Sequence, residues 1–188
     1  MGNFQPNLEL SFDEYSQLWT ELLSAAHFDI VECFKTFDQK DEDRQVLYLK
    51  SSFLVFMLGS KAIELNKSLN TKTAISLLTK VEETFVKKAF HDIDEGFSSS
   101  WKKSYDTEKK AIDITIKNIS EDFSPVAALV VSILSDLSLK KDEIGAVSSE
   151  LSNQFEFWSS RFNSLSKSSS HSPKMFGKPS FIVKKSGD

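Results

Sequence analysis

Apolar residues recur along most of this chain at steps of three and four, the spacing of one face of an α-helix. Tyr15, Leu18, Trp19, Leu22, Leu23, Ala26, Ile30, Phe34 and Phe37 form the first such stripe. It opens on Ser11-Phe12-Asp13-Glu14, a capping-box pattern in which Ser11 caps and Glu14 reaches back. The run Asp38-Gln39-Lys40-Asp41-Glu42-Asp43 interrupts the stripe and predicts a loop or the acidic first turn of a second helix. That helix is expected over about 42–69. Its centre, Phe53-Leu54-Val55-Phe56-Met57-Leu58, is apolar all round, which predicts a helix at the middle of a bundle.

A third helix is predicted after Asn70-Thr71, carrying Ala74, Ile75, Leu78, Val81, Phe85, Ala89 and Ile93, with Gly96 as its stop. Residues 97–105 are rich in serine and read as a connection that holds Trp101. Ile112, Ile114 and Ile116 alternate as in a strand, while Ile112, Ile116, Ile119 and Phe123 fit a helix. With no neighbouring strand to pair with, the helix is preferred. Ser124-Pro125 is a helix opening, a capping residue followed by proline at the first helical position, and predicts a fifth helix to about Leu139. Asp142 caps a sixth. Ile144, Val147, Leu151, Phe155, Trp158, Phe162 and Leu165 give that helix the most regular pattern in the chain.

After Leu165 the periodicity ends. The expected organisation is therefore all-α: an N-terminal extension over 1–10, a six-helix bundle over 11–165, and a flexible basic tail over 166–188. The 188 residues suit one domain with a full hydrophobic core. Phenylalanine is abundant at 16 residues. Six glycines and four prolines leave few breakers, which favours long helices. Two features test for a membrane or secretory fate. The longest apolar stretches, Phe53–Leu58 and Val126–Leu134, are read as too short to span a bilayer. Residues 1–10 lack the charged and apolar regions of a secretory signal, and Met1-Gly2 is followed by Pro6 where myristoylation wants Ser or Thr. The expected location is cytoplasmic. The triplets Asn66-Lys67-Ser68 and Asn118-Ile119-Ser120 fall in predicted helices and are discounted as glycosylation sites.

Charge is unevenly placed. Residues 166–188 hold five lysines and one aspartate, a formal +4, which leaves −8 on residues 1–165 of a net −4. The whole chain has no basic excess of the kind that drives nucleic-acid binding.

Linear motifs for chemistry are few. The glycines are not spaced as a phosphate-cradling loop. The residues three before His27, His91 and His171 are Ser24, Lys88 and Ser168, so the carboxylate-x-x-His ligand pattern of helical metal sites is missing. His91 near a helix end and His27 beside the first stripe are read as structural, and Ser24, His27 and Asp29 on one helix do not make a triad. Cys33, the one cysteine, is read as a small apolar core residue. No cofactor and no catalytic residue is predicted.

The functional lead is the tail. Met175, Phe176, Phe181, Ile182, Val183, Lys184 and Lys185 mix apolar side chains with lysines, and Phe181-Ile182-Val183 is a β-prone triplet. Such a segment can add as a strand to a sheet edge or bind an acidic surface. The expectation is a non-enzymatic protein-interaction or assembly factor with a protein partner, self-association also open to it, and only weak salt-sensitive contact with an anionic membrane. The alternative is a helical domain that encloses a haem-like or lipid-like molecule among its aromatics.

Overall fold

The computed structural model describes residues 8–35, 41–67, 69–90, 95–118, 125–135, 137, 139–168 and 181–184. They form six helices: α1 (Phe12–Glu32), α2 (Asp41–Glu64), α3 (Thr71–Ala89), α4 (Glu95–Asn118), α5 (Pro125–Leu134) and α6 (Lys141–Ser168). Two short strands, β1 (Leu8–Ser11) and β2 (Phe181–Lys184), complete the described elements. The all-α, six-helix expectation holds.

Local chemistry sets several of the helix starts. Ser11 N–H donates to Glu14 Oε2 at 2.7 Å and Glu14 N–H donates to Ser11 Oγ at 3.2 Å, so the capping box of α1 is complete. Asn70 caps α3 by accepting from Thr73 N–H at 2.8 Å. At α6 the reciprocal half is made: Lys140 N–H donates to Glu143 Oε2 at 2.7 Å. Asp142, the expected cap, lies inside the helix, which begins one residue earlier.

The central position expected for the second helix is observed. α2 packs against each of the other five helices, and its run Ser51–Phe56 is buried. The 22-residue stretch Asp43–Glu64 is by length and composition apolar enough to cross a membrane, longer than the six-residue run picked out by its sequence pattern. A core helix buried on all sides meets the same test, since both must be apolar all round. α1 and α6 run antiparallel, with Trp19 against Phe162 (5.7 Å between ring centroids) and Trp158 Nε1 donating to Asp29 Oδ2 at 3.0 Å.

The serine-rich stretch differs from expectation. Gly96 does not end α3, which stops at Ala89 with Phe90 as its cap; it lies in the first turn of α4. Residues 97–105 are helical, and Trp101 and Tyr105 stack on each other (5.3 Å, 3° between planes) against Phe53 and Phe56 of α2. Trp101, Tyr105 and Ile112 share one face and are buried, while Ser99, Ser100 and Ser104 are exposed. Serine's modest helix propensity is outweighed by burial of two large aromatic rings.

The second departure is the pair of strands. β1 and β2 run parallel in register: Leu8 faces Phe181, Glu9 faces Ile182, Leu10 faces Val183 and Ser11 faces Lys184. Segments from the expected N-terminal extension and C-terminal tail thus form a ribbon beside the start of α1.

Candidate functional site

Four places in the fold bring polar or reactive groups together. The first is His27 on α1, only 5% exposed and enclosed by the rings of Tyr48, Phe85 and Phe90 at 5.4, 6.1 and 6.3 Å. Its Nε2 lies 3.0 Å from the Tyr48 carbonyl oxygen, which can only accept, so Nε2 carries the proton. Burial lowers the imidazole pKa, and the Tyr48 carbonyl opposes that shift in part. Ser24 turns to the Thr20 carbonyl (2.8 Å) and Asp29 to Trp158, so Ser24, His27 and Asp29 do not converge.

Cys33 caps the end of α1 and is half-buried, its Sγ donating to the Asp29 carbonyl at 3.3 Å. Burial, and then the carboxylates of Glu150, Asp29 and Glu32, push its pKa up to about 11. The group is a neutral thiol at physiological pH and a poor nucleophile.

The third place is a polar brace that crosses α2, α4 and α5. Lys50 Nζ lies 3.1 Å from Glu108 Oε1 and donates to the Ser132 carbonyl at 3.1 Å. Ser132 Oγ donates to Glu108 Oε1 at 2.5 Å. The Lys50 and Glu108 side chains are 14% and 17% exposed, so the pair is largely desolvated and its geometry has to satisfy both charges. Serine beside lysine invites a nucleophile–base reading. Here the Ser132 proton is committed to a carboxylate and the Lys50 ammonium to three oxygens, an arrangement that holds helices together. Sequence reasoning passed over this brace. Its sign in the sequence is Lys50, the one charged residue between Gln45 and Ser60 in a stretch that is apolar but for Ser51 and Ser52, and a charge entering a core requires a partner.

The buried serines of α2 form a related seam. Ser52 Oγ donates to the Leu49 carbonyl (2.6 Å) and accepts from Trp101 Nε1 (3.0 Å). Ser60 Oγ lies 3.4 Å from the Tyr105 hydroxyl, and burial pushes the Tyr105 pKa up to about 12. These bonds place the polar atoms of α4's aromatics against α2 and use them structurally. The indole nitrogen of Trp19, fully buried, has no hydrogen-bond partner among the described residues.

The fourth place is the terminal ribbon, where the residues singled out by sequence lie. Phe181, Ile182, Val183 and Lys184 are brought into β2, opposite Leu8–Ser11. Met175, Phe176 and Lys185 lie outside the described residues, as do His91 and His171. Among the described residues the sheet has two strands, so each strand has one edge without a neighbour. No group of three or more His, Cys, Asp or Glu side chains suited to a metal ion occurs among the described residues.

Among the described residues the fold is an all-α bundle of six helices with a short parallel pair of strands, β1 and β2. No protein-family model, curated protein or solved structure matches the chain.

Proposed function

We propose that the chain is a non-enzymatic interaction or assembly factor whose C-terminal segment is its partner-binding element. The observation that supports this reading most directly is the extended conformation of Phe181–Lys184, a strand in a helical protein that, among the described residues, is paired along one edge alone. An extended segment offers its backbone N–H and C=O groups to the edge of a partner's sheet, while alternate side chains supply specificity. The charge distribution agrees with it: the tail is basic, the body acidic, and the partner surface this segment suits is a sheet edge with acidic residues nearby. The reactive groups of the bundle favour the same reading, since His27, Cys33 and the Lys50–Glu108–Ser132 group are each engaged in structural contacts.

The test is a comparison of two N-terminally tagged chains in their native cells, the full chain and one that ends after Ser168. A partner recovered in stoichiometric amount with the full chain alone supports the reading. Identical partner sets for the two chains, or none for either, refutes it.

A further inference from the structure

Among the described residues two phenylalanines are exposed, Phe28 on α1 (62%) and Phe157 on α6 (53%). They flank one hydrogen bond. Trp158 Nε1 donates to Asp29 Oδ2, and each phenylalanine is the residue immediately before one end of that bond. The bond therefore sets Phe28 and Phe157 at one level of the seam between α1 and α6. Successive residues of a helix are turned by about 100°. Because α1 and α6 run antiparallel, one step back from the seam on each helix leads to the same surface. Burial identifies that surface as the outer one. Glu21, Phe28 and Lys35 of α1 and Glu150, Phe157 and Arg161 of α6 are exposed, while Leu23, Ile30, Phe155 and Phe162 on the inner side are fully buried. A single exposed phenylalanine needs no explanation, but two on one seam with charged groups around them mark an interaction surface.

The charge on this surface is negative. Asp29, Glu32 and Glu150 converge here, since all three act on the thiol of Cys33 at the end of α1. Glu32 is paired with Lys35 at 2.7 Å. Glu21, Asp29 and Glu150 instead accept from the neutral donors Gln17, Trp158 and Gln154, bonds that orient a carboxylate without balancing its charge. Four carboxylates thus stand against Lys35 and Arg161, a formal −2.

We propose that the outer face of the α1–α6 seam is a docking surface for a basic amphipathic helix of a partner protein. The furrow between two antiparallel helices takes a third helix, whose apolar residues at i, i+3 or i+4 and i+7 form a stripe along it. In that pose the apolar stripe covers Phe28 and Phe157, and lysines or arginines beside it meet Glu21, Asp29 and Glu150. Charge complementarity selects a basic helix over an acidic one. The surface belongs to the bundle, so it gives the protein a second contact that does not depend on the C-terminal segment.

The experiment uses the full chain and a fluorescent leucine–lysine peptide of about 14 residues, four helical turns with leucines on one face. A second peptide carries glutamate at every lysine position. Fluorescence anisotropy is expected to show binding of the lysine peptide alone. Phe28→Ala with Phe157→Ala is expected to weaken it at least about ten-fold, with the circular dichroism melt unchanged. Ile75→Ala with Ile114→Ala, exposed apolar residues of α3 and α4, is the control and should leave binding within about two-fold. Glu21→Gln with Glu150→Gln should weaken binding and flatten its dependence on salt. Absence of binding, equal binding of the glutamate peptide, or a loss in the phenylalanine variant no larger than in the isoleucine control each overturns the proposal. So does sedimentation of the native chain as a dimer that the two phenylalanine substitutions dissolve, which would give the face to a second copy of the chain. None of these results bears on the comparison of full and shortened chains, so this proposal and the tail's role fail separately.

Discussion

Gly59 on α2 sits where α1 comes closest. A Cβ added there would lie 2.5 Å from Leu23 Cδ2 and 3.5 Å from Leu23 Cγ. Leu23 is fully buried, so its methyl has no open side to which it can move. Two terms oppose each other in Gly59→Ala. Replacing a helical glycine with alanine gains about 1 kcal/mol in helix propensity. Forcing a methyl into a filled core costs about 1–3 kcal/mol. With a contact roughly 1 Å inside ordinary packing distance we place the cost at the upper end, so the net is a loss of about 1–2 kcal/mol. For a chain of this size that lowers the melting temperature by about 2–8 °C. Urea unfolding followed by circular dichroism reads the change. A paired variant sharpens the test. Leu23→Ala alone removes buried methyls and costs about 2–5 kcal/mol. In the double variant the methyl introduced at position 59 enters the vacated space, and the combined loss should fall short of the sum of the two by at least about 1 kcal/mol. A neutral or stabilising Gly59→Ala, or losses that add within about 0.5 kcal/mol, would refute the close approach.

Breaking the three-helix brace should be costly and repairable: Lys50→Met strands the Glu108 carboxylate and should lose roughly 2–4 kcal/mol, while Lys50→Met with Glu108→Leu should recover most of it in the same urea assay. Stability should also fall with acid through His27. Its pKa in the folded state lies below the ordinary 6.5, so the unfolded chain binds more protons as pH drops below that value. The contribution is complete above 6.5 and is lost as pH falls toward the folded pKa. His27→Gln should therefore flatten the slope of unfolding free energy between about pH 7.5 and 5.5. Cys33, held as a thiol with a pKa of about 11, should react with a disulfide reagent at about pH 8 far more slowly in the native protein than in urea, and equal rates would contradict its burial.

How much of this was readable in the sequence depended on whether a residue's role was local. Ser11 and Glu14 announce a helix start because both partners lie within four residues, and the structure closes that box as expected. The stripes of α1, α3 and α6 are equally legible, since each helix turns one side inward. The start of α4 was not. Four serines beside Trp101 look like a connection until Phe53 and Phe56 are known to stand opposite and bury the ring. The candidate segment was found by its β-prone triplet, but its pairing with Leu8–Ser11 was out of reach. That contact joins opposite ends of the sequence, and no local pattern encodes which distant strand a short apolar triplet will choose. The Lys50–Glu108–Ser132 brace was hidden for the same reason, although its lone lysine could have prompted the question.

The hub position of α2 has a consequence for the chain as it is made. Helices α1 to α3 leave the ribosome first and can pack on one side of α2, but the aromatic pair that covers Phe53 and Phe56 belongs to α4, and the last wall, α6, ends only at Ser168. About 100 residues separate the end of α2 from that point, which at roughly 5–20 residues per second is on the order of 5–20 s of synthesis. Throughout that interval the central helix of the protein has an uncovered apolar flank, so a chain stalled between α3 and α6 is the species most prone to aggregate or to need a chaperone.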